Sequence, residues 1–406
     1  MIARRTAIKD DLLAGERHAE KAASIGDPLQ KTGAIVDFRA LAEEVERMAP
    51  RPEQPRGGRP PYPTGVMVRV LAVKHLHGLS DGQTEFQLLD RRSFQRFCGL
   101  EHSLNIPGRT TIWNFENRLG VEGVQALFEG LDRQIRAHGL EARAGQIVDA
   151  PLVPAPKQHF TKEDKEMPGQ NAVPVDWKPA RRRQKDLDAS WTRKHGNSCH
   201  GYKFTVSVDR KHKFVRQWLA DTARVHDSQR LEALLDDGNT SAGIYAGKGY
   251  IGAGREERLR EQGYRPHIQR KGRPGKPLPA CQERRNRRIA RVRARVEHVF
   301  AAIRQWGGKR IRTIGQARAT FAMGMMVVVC NMRRFAFLGA QCAQNPGNEP
   351  ERAEAGGNIR SKSPSRRWSG PLRGKLIENW GFFEVPFNLT RRRGSLHQTK
   401  FSSDNP

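Results

Sequence analysis

The chain has 406 residues, room for two or three domains, and carries 72 Lys and Arg against 43 Asp and Glu, a formal charge of +29. An excess that large points to a polyanionic partner, because basic side chains displace condensed counterions from phosphate backbones. No membrane span is expected, since the longest apolar run, Phe321 to Cys330, is shorter than the roughly 20 residues a bilayer crossing needs. Met1 to Asp10 mixes charges and has no apolar signal core, so a cytoplasmic location is expected.

In chain order, residues 1–63 form an N-terminal extension with one expected helix, Ile35 to Met48, and a basic Pro/Gly/Arg linker, Pro50 to Pro63. Residues 64–140 read as a helical block. Thr64 caps a helix through Leu76, and Ser80 or Asp81 caps another through Leu89. Ser93 begins a third, Thr111 to Leu119 forms a fourth, and Gly123 to His138 a fifth that stops at Gly139. Arg91, Arg92, Arg96 and Arg109 on short helices suit a helix-turn-helix-like DNA-binding domain, and equally suit a helical scaffold with solvated charges.

From Gly145 the pattern changes. Gln146 to Val153 is rich in β-formers, and the segment Pro154 to Arg193 is polar, with Arg181, Arg182 and Arg183 adjacent. Tyr202 to Val208 and Phe214 to Leu219 read as a hairpin across Asp209 to Lys213. A helix is expected at Asp227 to Leu235, a strand at Gly243 to Ala246, a helix at Arg255 to Gln262 and a strand at Tyr264 to Gln269. A long basic helix, Glu283 to Gln305, follows with Ile289, Val292, Val296, Val299 and Ile303 as its buried stripe. That order predicts an α/β, ribonuclease H-like mixed sheet with helices on both faces over residues 145–338, closed by an apolar helix, Gln316 to Phe337. Residues 340–406 show no periodicity and are expected to be disordered, with Trp368, Trp380, Phe382 and Phe383 isolated among Gly, Pro, Ser and Arg.

The five cysteines, Cys98, Cys199, Cys281, Cys330 and Cys342, form no CxxC pair and fit a reduced protein. His195, Cys199 and His200 are the one zinc-like cluster, but zinc sites bring two ligand pairs and no second pair follows. Gly247-Lys-Gly249-Tyr-Ile-Gly252 spells GxGxxG, yet the acidic residue a dinucleotide fold needs about 20 positions on is missing. Trp113, Trp177 and Trp191 could stack on an unpaired base. For Trp113 core packing is the simpler role, while the other two stay open.

Two-metal phosphoryl transfer needs carboxylates converging from different elements. Asp149 ends an otherwise apolar strand, where a carboxylate either meets a cation or faces a sheet edge. Glu297 lies about 100° round the helix from Val296, beside Arg293 and Arg304. From spacing alone it reads first as an ordinary Arg–Glu helix pair. Seven arginines between Arg284 and Arg295 (Arg288, Arg291 and Arg293 among them) repel one another unless a polyanion neutralises them.

From about Pro60 to Leu338 the chain resembles the insertion-sequence-five family of DDE transposases. The resemblance runs through Ile147-Val-Asp-Ala-Pro-Leu-Val-Pro-Ala-Pro156, Asp188-Ala-Ser-Trp-Thr-Arg-Lys-His-Gly196, Gly201-Tyr-Lys203, Val206-Ser-Val-Asp-Arg-Lys-His212, Val225-His-Asp-Ser-Gln229 and Lys248-Gly-Tyr250. It ends on Arg293 with Glu297 in the last helix. It implies that Asp149 and Glu297 are the first and third catalytic carboxylates and metal ligands, holding two Mg2+ or Mn2+ ions. By the same resemblance Arg293 orients the site or a phosphate, Arg304 replaces a lysine and Ala290 a tyrosine. The implied partners are double-stranded DNA, as transposon ends and target, and a second copy in a homodimer. Lys248, Arg288 and Arg291 join Arg293 and Arg304 as candidate DNA contacts. The departure is at position 247, where the family has its second catalytic aspartate and this chain has Gly247. Asp236 and Asp237 lie across the strand and cannot easily substitute. Cleavage and strand transfer are therefore expected to be impaired, and a non-catalytic DNA-end-binding protein from a decayed element is the alternative.

Overall fold

A computed structural model describes residues 11–51, 60–156, 158, 177–194, 196–273, 275, 277–308 and 311–344. Most of the Pro50 to Pro63 linker, most of the Pro154 to Arg193 segment, His195 and the tail from residue 345 lie outside the described residues.

Seven helices come first: α1 (Ala14–Ile25), α2 (Pro28–Ile35), α3 (Phe38–Met48), α4 (Thr64–Leu76), α5 (Asp81–Asp90), α6 (Arg92–Cys98) and α7 (Arg109–Ala137). Local chemistry sets their starts. Asp37 accepts from the Arg39 and Ala40 amides to cap α3. Ser80 and Gln83 form a reciprocal capping box on α5. The two helices expected around Gly120 run together as α7, bent at Gly120, whose φ of 55° a residue with a Cβ would resist. Phe38, Leu41 and Val45 of α3 share one core with Val70, Leu71 and Val73 of α4 and Leu127 and Leu131 of α7.

The sheet comprises β1 (Gln146–Asp149), β2 (Leu152–Pro154), β3 (Ser190–Lys194), β4 (Asn197–Asp209), β5 (Val215–Thr222), β6 (Gly243–Ala246) and β7 (Arg265–Ile268), with a short helix α8 (Pro179–Gln184) before β3. The long β4 pairs antiparallel with β5, β1, β2 and β3. β1, β6 and β7 run parallel, so the sheet is mixed, as the element order predicted. Helix α9 (Ala253–Glu261) lies between β6 and β7; α10 (Ala280–Ile303) and α11 (Gln316–Gln344) close the chain.

Alternation along β1 sorts the two faces. Ile147 joins the main core with Val296, Val299 and Phe300 of α10. Val148 joins a second cluster with Ile244, Ala246, Leu231, Leu234, Leu259 and Ile268. The helix expected at Asp227 to Leu235 is instead two 3-10 turns, Asp227–Arg230 and Glu232–Leu234.

α11 runs well beyond the apolar stretch Phe321 to Cys330 and reaches residue 344, into the region expected to be unstructured. It is long and apolar enough to cross a bilayer by length and composition alone, but 61% of its most apolar window is buried inside the protein. Val327, Val328 and Phe335 lie in the main core, and Asn331 both accepts from and donates to the backbone of Val215. It is a core helix.

A buried ionic network ties α7 to the sheet. Arg216 on β5 reaches Asp132 at 2.6 Å and Asp209 at 3.5 Å, while Arg136 reaches Asp132 at 2.6 Å and Asp236 at 3.1 Å. Burial pushes the Asp209 carboxyl up, opposed by Arg216 and by the His212 and Phe214 amides. Removing Arg216 strands that carboxylate in the core. Arg216→Leu is therefore expected to cost about 3–5 kcal/mol, measured by denaturant unfolding.

Candidate active site

Asp149 is the last residue of β1, and its side chain is 24% exposed. Its Oδ1 accepts from the Ala150 amide at 3.0 Å, and its Oδ2 accepts from Arg293 Nη2 at 3.0 Å. Parallel pairing places Ala246 beside Val148, so Gly247 emerges next to Asp149. Gly247 is buried, with φ −77° and ψ 179°, an extended backbone open to any residue. A Cβ there would lie 3.1 Å from Arg293 Nη2 and 3.2 Å from its Cζ. The guanidinium therefore fills the space a side chain at 247 would enter.

Arg293 is held in place from a third element. Its Nη1 donates to Gln269 Oε1 at 2.8 Å, and the Gln269 amide donates to the Ala246 carbonyl. Gln269 follows β7, so three adjacent parallel strand ends and α10 converge on one guanidinium. Glu297 stands one turn after Arg293 and pairs with Arg304 at 3.2 Å. Both side chains are more than half exposed, so this pair contributes at most about 1 kcal/mol.

On the far side of position 247 lies the 3-10 turn Lys248–Tyr250. Lys248 is exposed. Asp227 abuts the turn: its Oδ2 is 3.1 Å from where a Cβ on Gly249 would sit, and its Oδ1 pairs with Lys203 at 2.7 Å. Tyr250 is 2% exposed and its hydroxyl has no hydrogen-bond partner among the described residues. Burial, then the Asp227 and Asp149 carboxylates, push that hydroxyl well above its ordinary range. Tyr250→Phe, which deletes an unsatisfied polar atom and keeps the ring, is expected to be neutral or stabilising by about 1 kcal/mol in thermal unfolding.

The structure brings Asp149, position 247 and Arg293 together, with Glu297 and Arg304 one to three turns along the same helix. Arg288 and Arg291 are exposed but face away, Arg288 lying about 180° from Glu297 at 100° per residue. Asp236 and Asp237 sit near the opposite end of β1 from Asp149. The Asp236 amide donates to Gln146 Oε1 at 3.0 Å, and Asp237 accepts from Tyr264. Gln269, Asp227 and Tyr250 were not singled out by sequence reasoning. Asp227 and Tyr250 fell inside matched blocks, but nothing local marked them as neighbours of Asp149.

The remaining candidates separate. Trp113 is 48% exposed on α7 rather than packed in the core. Trp177 is buried with the Arg181 guanidinium 4.5 Å over its ring, and Trp191 lies 5.1 Å from the His200 ring. Arg92 donates to the Gly15 carbonyl and Arg96 pairs with Glu101, while Arg91 lies over Phe94. Cys199 and His200 are on β4. Among the described residues no three of His, Cys, Asp and Glu converge on a metal-sized space.

Residues 143–332 match the family model of the transposase DDE domain, and residues 17–118 match that of a second transposase domain. The first spans the sheet, α10 and most of α11; the second runs from α1 into α7. No solved structure matches the chain.

Proposed function

The chain carries the two domains of a DDE transposase of the insertion-element type, the machinery of DNA transposition, and on that premise we propose a narrower reading. It is a member of the insertion-sequence-five branch that binds terminal inverted repeats and target DNA as a homodimer, with strand cleavage and transfer impaired. Asp149 and Glu297 are the remaining catalytic carboxylates. Arg293, Arg304 and Lys248 contact the DNA beside them, with Arg288 and Arg291 further round α10. The helical block 64–140 contributes to DNA recognition.

One observation carries the impairment: position 247, buried beside Asp149, has no side chain, and a guanidinium stands in its place. Transposases of this type generally use divalent ions, and two such ions need donors from strand, loop and helix together. The donor set does not fit two ions. Asp149 is paired with Arg293, and the loop at position 247 supplies no donor, so Glu297 is left as the one carboxylate open to a cation.

Gly247 also favours a second reading, in which the protein holds transposon ends without cutting them and competes with an intact copy. Both readings require preference for ends. Fluorescence anisotropy is expected to give at least about tenfold tighter binding to a duplex carrying the element's own terminal repeat than to an unrelated duplex of equal length. Equal affinities would remove end recognition from both.

A further inference from the structure

The helical block exposes large apolar side chains around one helix. Phe86 and Leu89 of α5 are 62% and 58% exposed and lie about 60° apart round the helix. Thr84 and Leu88, on its other side, are the residues α5 buries. Glu85 accepts from the Arg109 amide at 2.9 Å, so the start of α7 lies beside α5. Trp113, 48% exposed, follows Arg109 by one turn on the same edge of α7. Arg92, three residues after Leu89, donates to the Gly15 carbonyl at 3.2 Å and brings the exposed Leu12 and Leu13 to the C-terminal end of α5. Leu104, in the loop between α6 and α7, is also exposed. Surface leucines scattered singly need no explanation, but apolar side chains gathered on one face mark an interaction surface.

Charge decides what covers it. α5 carries Asp81, Glu85 and Asp90 and no Lys or Arg, the reverse of a chain with a formal charge of +29. A phosphate backbone is repelled from such a face, whereas a basic protein surface is drawn to it. Asp81 is taken by Lys74, and Glu85 by the α7 backbone. Asp90 and Arg109 are exposed, and among the described residues neither has an ion-pair partner.

We propose that this face is where two copies of the chain meet, α5 against α5 across a two-fold axis. The inference rests on the homodimer reading above and gives it a surface. A two-fold contact must be complementary to itself, and this face is. With the two α5 helices antiparallel and the axis between Phe86 and Leu89, each Phe86 faces the other copy's Leu89. Each Asp90 then faces residue 85 of the other copy, beside which that copy's unpaired Arg109 stands. The apolar centre is closed by two Asp90–Arg109 pairs, with Trp113 at its edge, the arrangement of aromatic anchors inside a polar rim that holds interfaces together.

The test is sedimentation velocity of the full chain over a concentration series, without DNA, so that two copies on one duplex are not mistaken for a dimer. Wild type is expected to dimerise. Phe86→Ser with Leu89→Ser alters exposed side chains, is expected to keep the wild-type far-UV spectrum, and should weaken self-association at least about 30-fold, the effect of truncating one central interface residue. Asp90→Arg alone and Arg109→Asp alone should each weaken it about tenfold, and the two together should return it to within about threefold of wild type, a recovery that a folding defect does not give. A wild-type dimer that the Phe86 and Leu89 changes leave intact overturns this surface while the homodimer reading stands on another. The same result with weakened duplex binding makes DNA the occupant and also overturns it. Single reversals that the double reversal does not rescue overturn the antiparallel pairing. If wild type stays monomeric throughout, the homodimer reading and the surface fall together.

Discussion

Gly247→Asp is expected to raise magnesium-dependent cleavage of transposon-end DNA at least about 100-fold over wild type. Loss of outer groups around a metal typically costs about 10–100-fold, and loss of a direct ligand costs more. The backbone accommodates the change, because φ at 247 is −77° and the residue follows β6 in register beside Asp149. The new Cβ would meet the Arg293 guanidinium at 3.1–3.2 Å, so this flexible side chain shifts by a few tenths of an ångström. An aspartate there competes with Asp149 for Arg293 and leaves Asp149 freer to meet a cation. Gly247→Asn fills the same volume without the charge and is expected to stay at the wild-type level. Adding Asp149→Asn to Gly247→Asp should abolish the gain. Equal activity of the Asp and Asn variants would show that occupancy, and not a carboxylate, is what position 247 lacks.

Duplex affinity is expected to fall about 10³-fold between 50 and 200 mM salt, the response of a protein that neutralises about six or more phosphates. The formal charge of +29 alone does not require this, since charge can be spread evenly over a surface. Seven arginines between Arg284 and Arg295 concentrate part of it on one helix, α10. Arg288 and Arg291 are exposed there, while Arg293 and Arg304 pair with Asp149 and Glu297. A fall of less than tenfold across that range would mean that few of these side chains meet phosphate, and would count against DNA contact by α10.

Where local pattern decides structure, the sequence was legible. The strand Gly243–Ala246 was expected with its observed bounds, and the β4–β5 hairpin and the buried stripe of α10 followed from alternation and helical spacing. α1 and α2 were not expected. α1 buries no residue, and α2 buries only Leu29 and Thr32, so neither leaves a strong apolar period. The Asp227 to Leu235 segment was expected to be one helix but folds as two 3-10 turns over the Val148 and Ile244 face. Site legibility divides the same way. Asp149 was visible as a carboxylate closing an apolar strand, and Gly247 as a gap in a resemblance. Gln269 and Asp227 reach the site only through strand register and chain reversal, which leave no local mark on residues 120 and 78 positions from Asp149.

The absence of a donor at position 247 is tested most directly by counting bound Mn2+ from the electron paramagnetic resonance signal of the free ion. Wild type, with no donor at position 247 and Asp149 paired with Arg293, is expected to take up no Mn2+ at affinities in the tens of micromolar or tighter, while Gly247→Asp takes up at least one ion that Asp149→Asn then removes. Two ions bound by wild type, as tightly as by Gly247→Asp and lost on Asp149→Asn, would contradict the account.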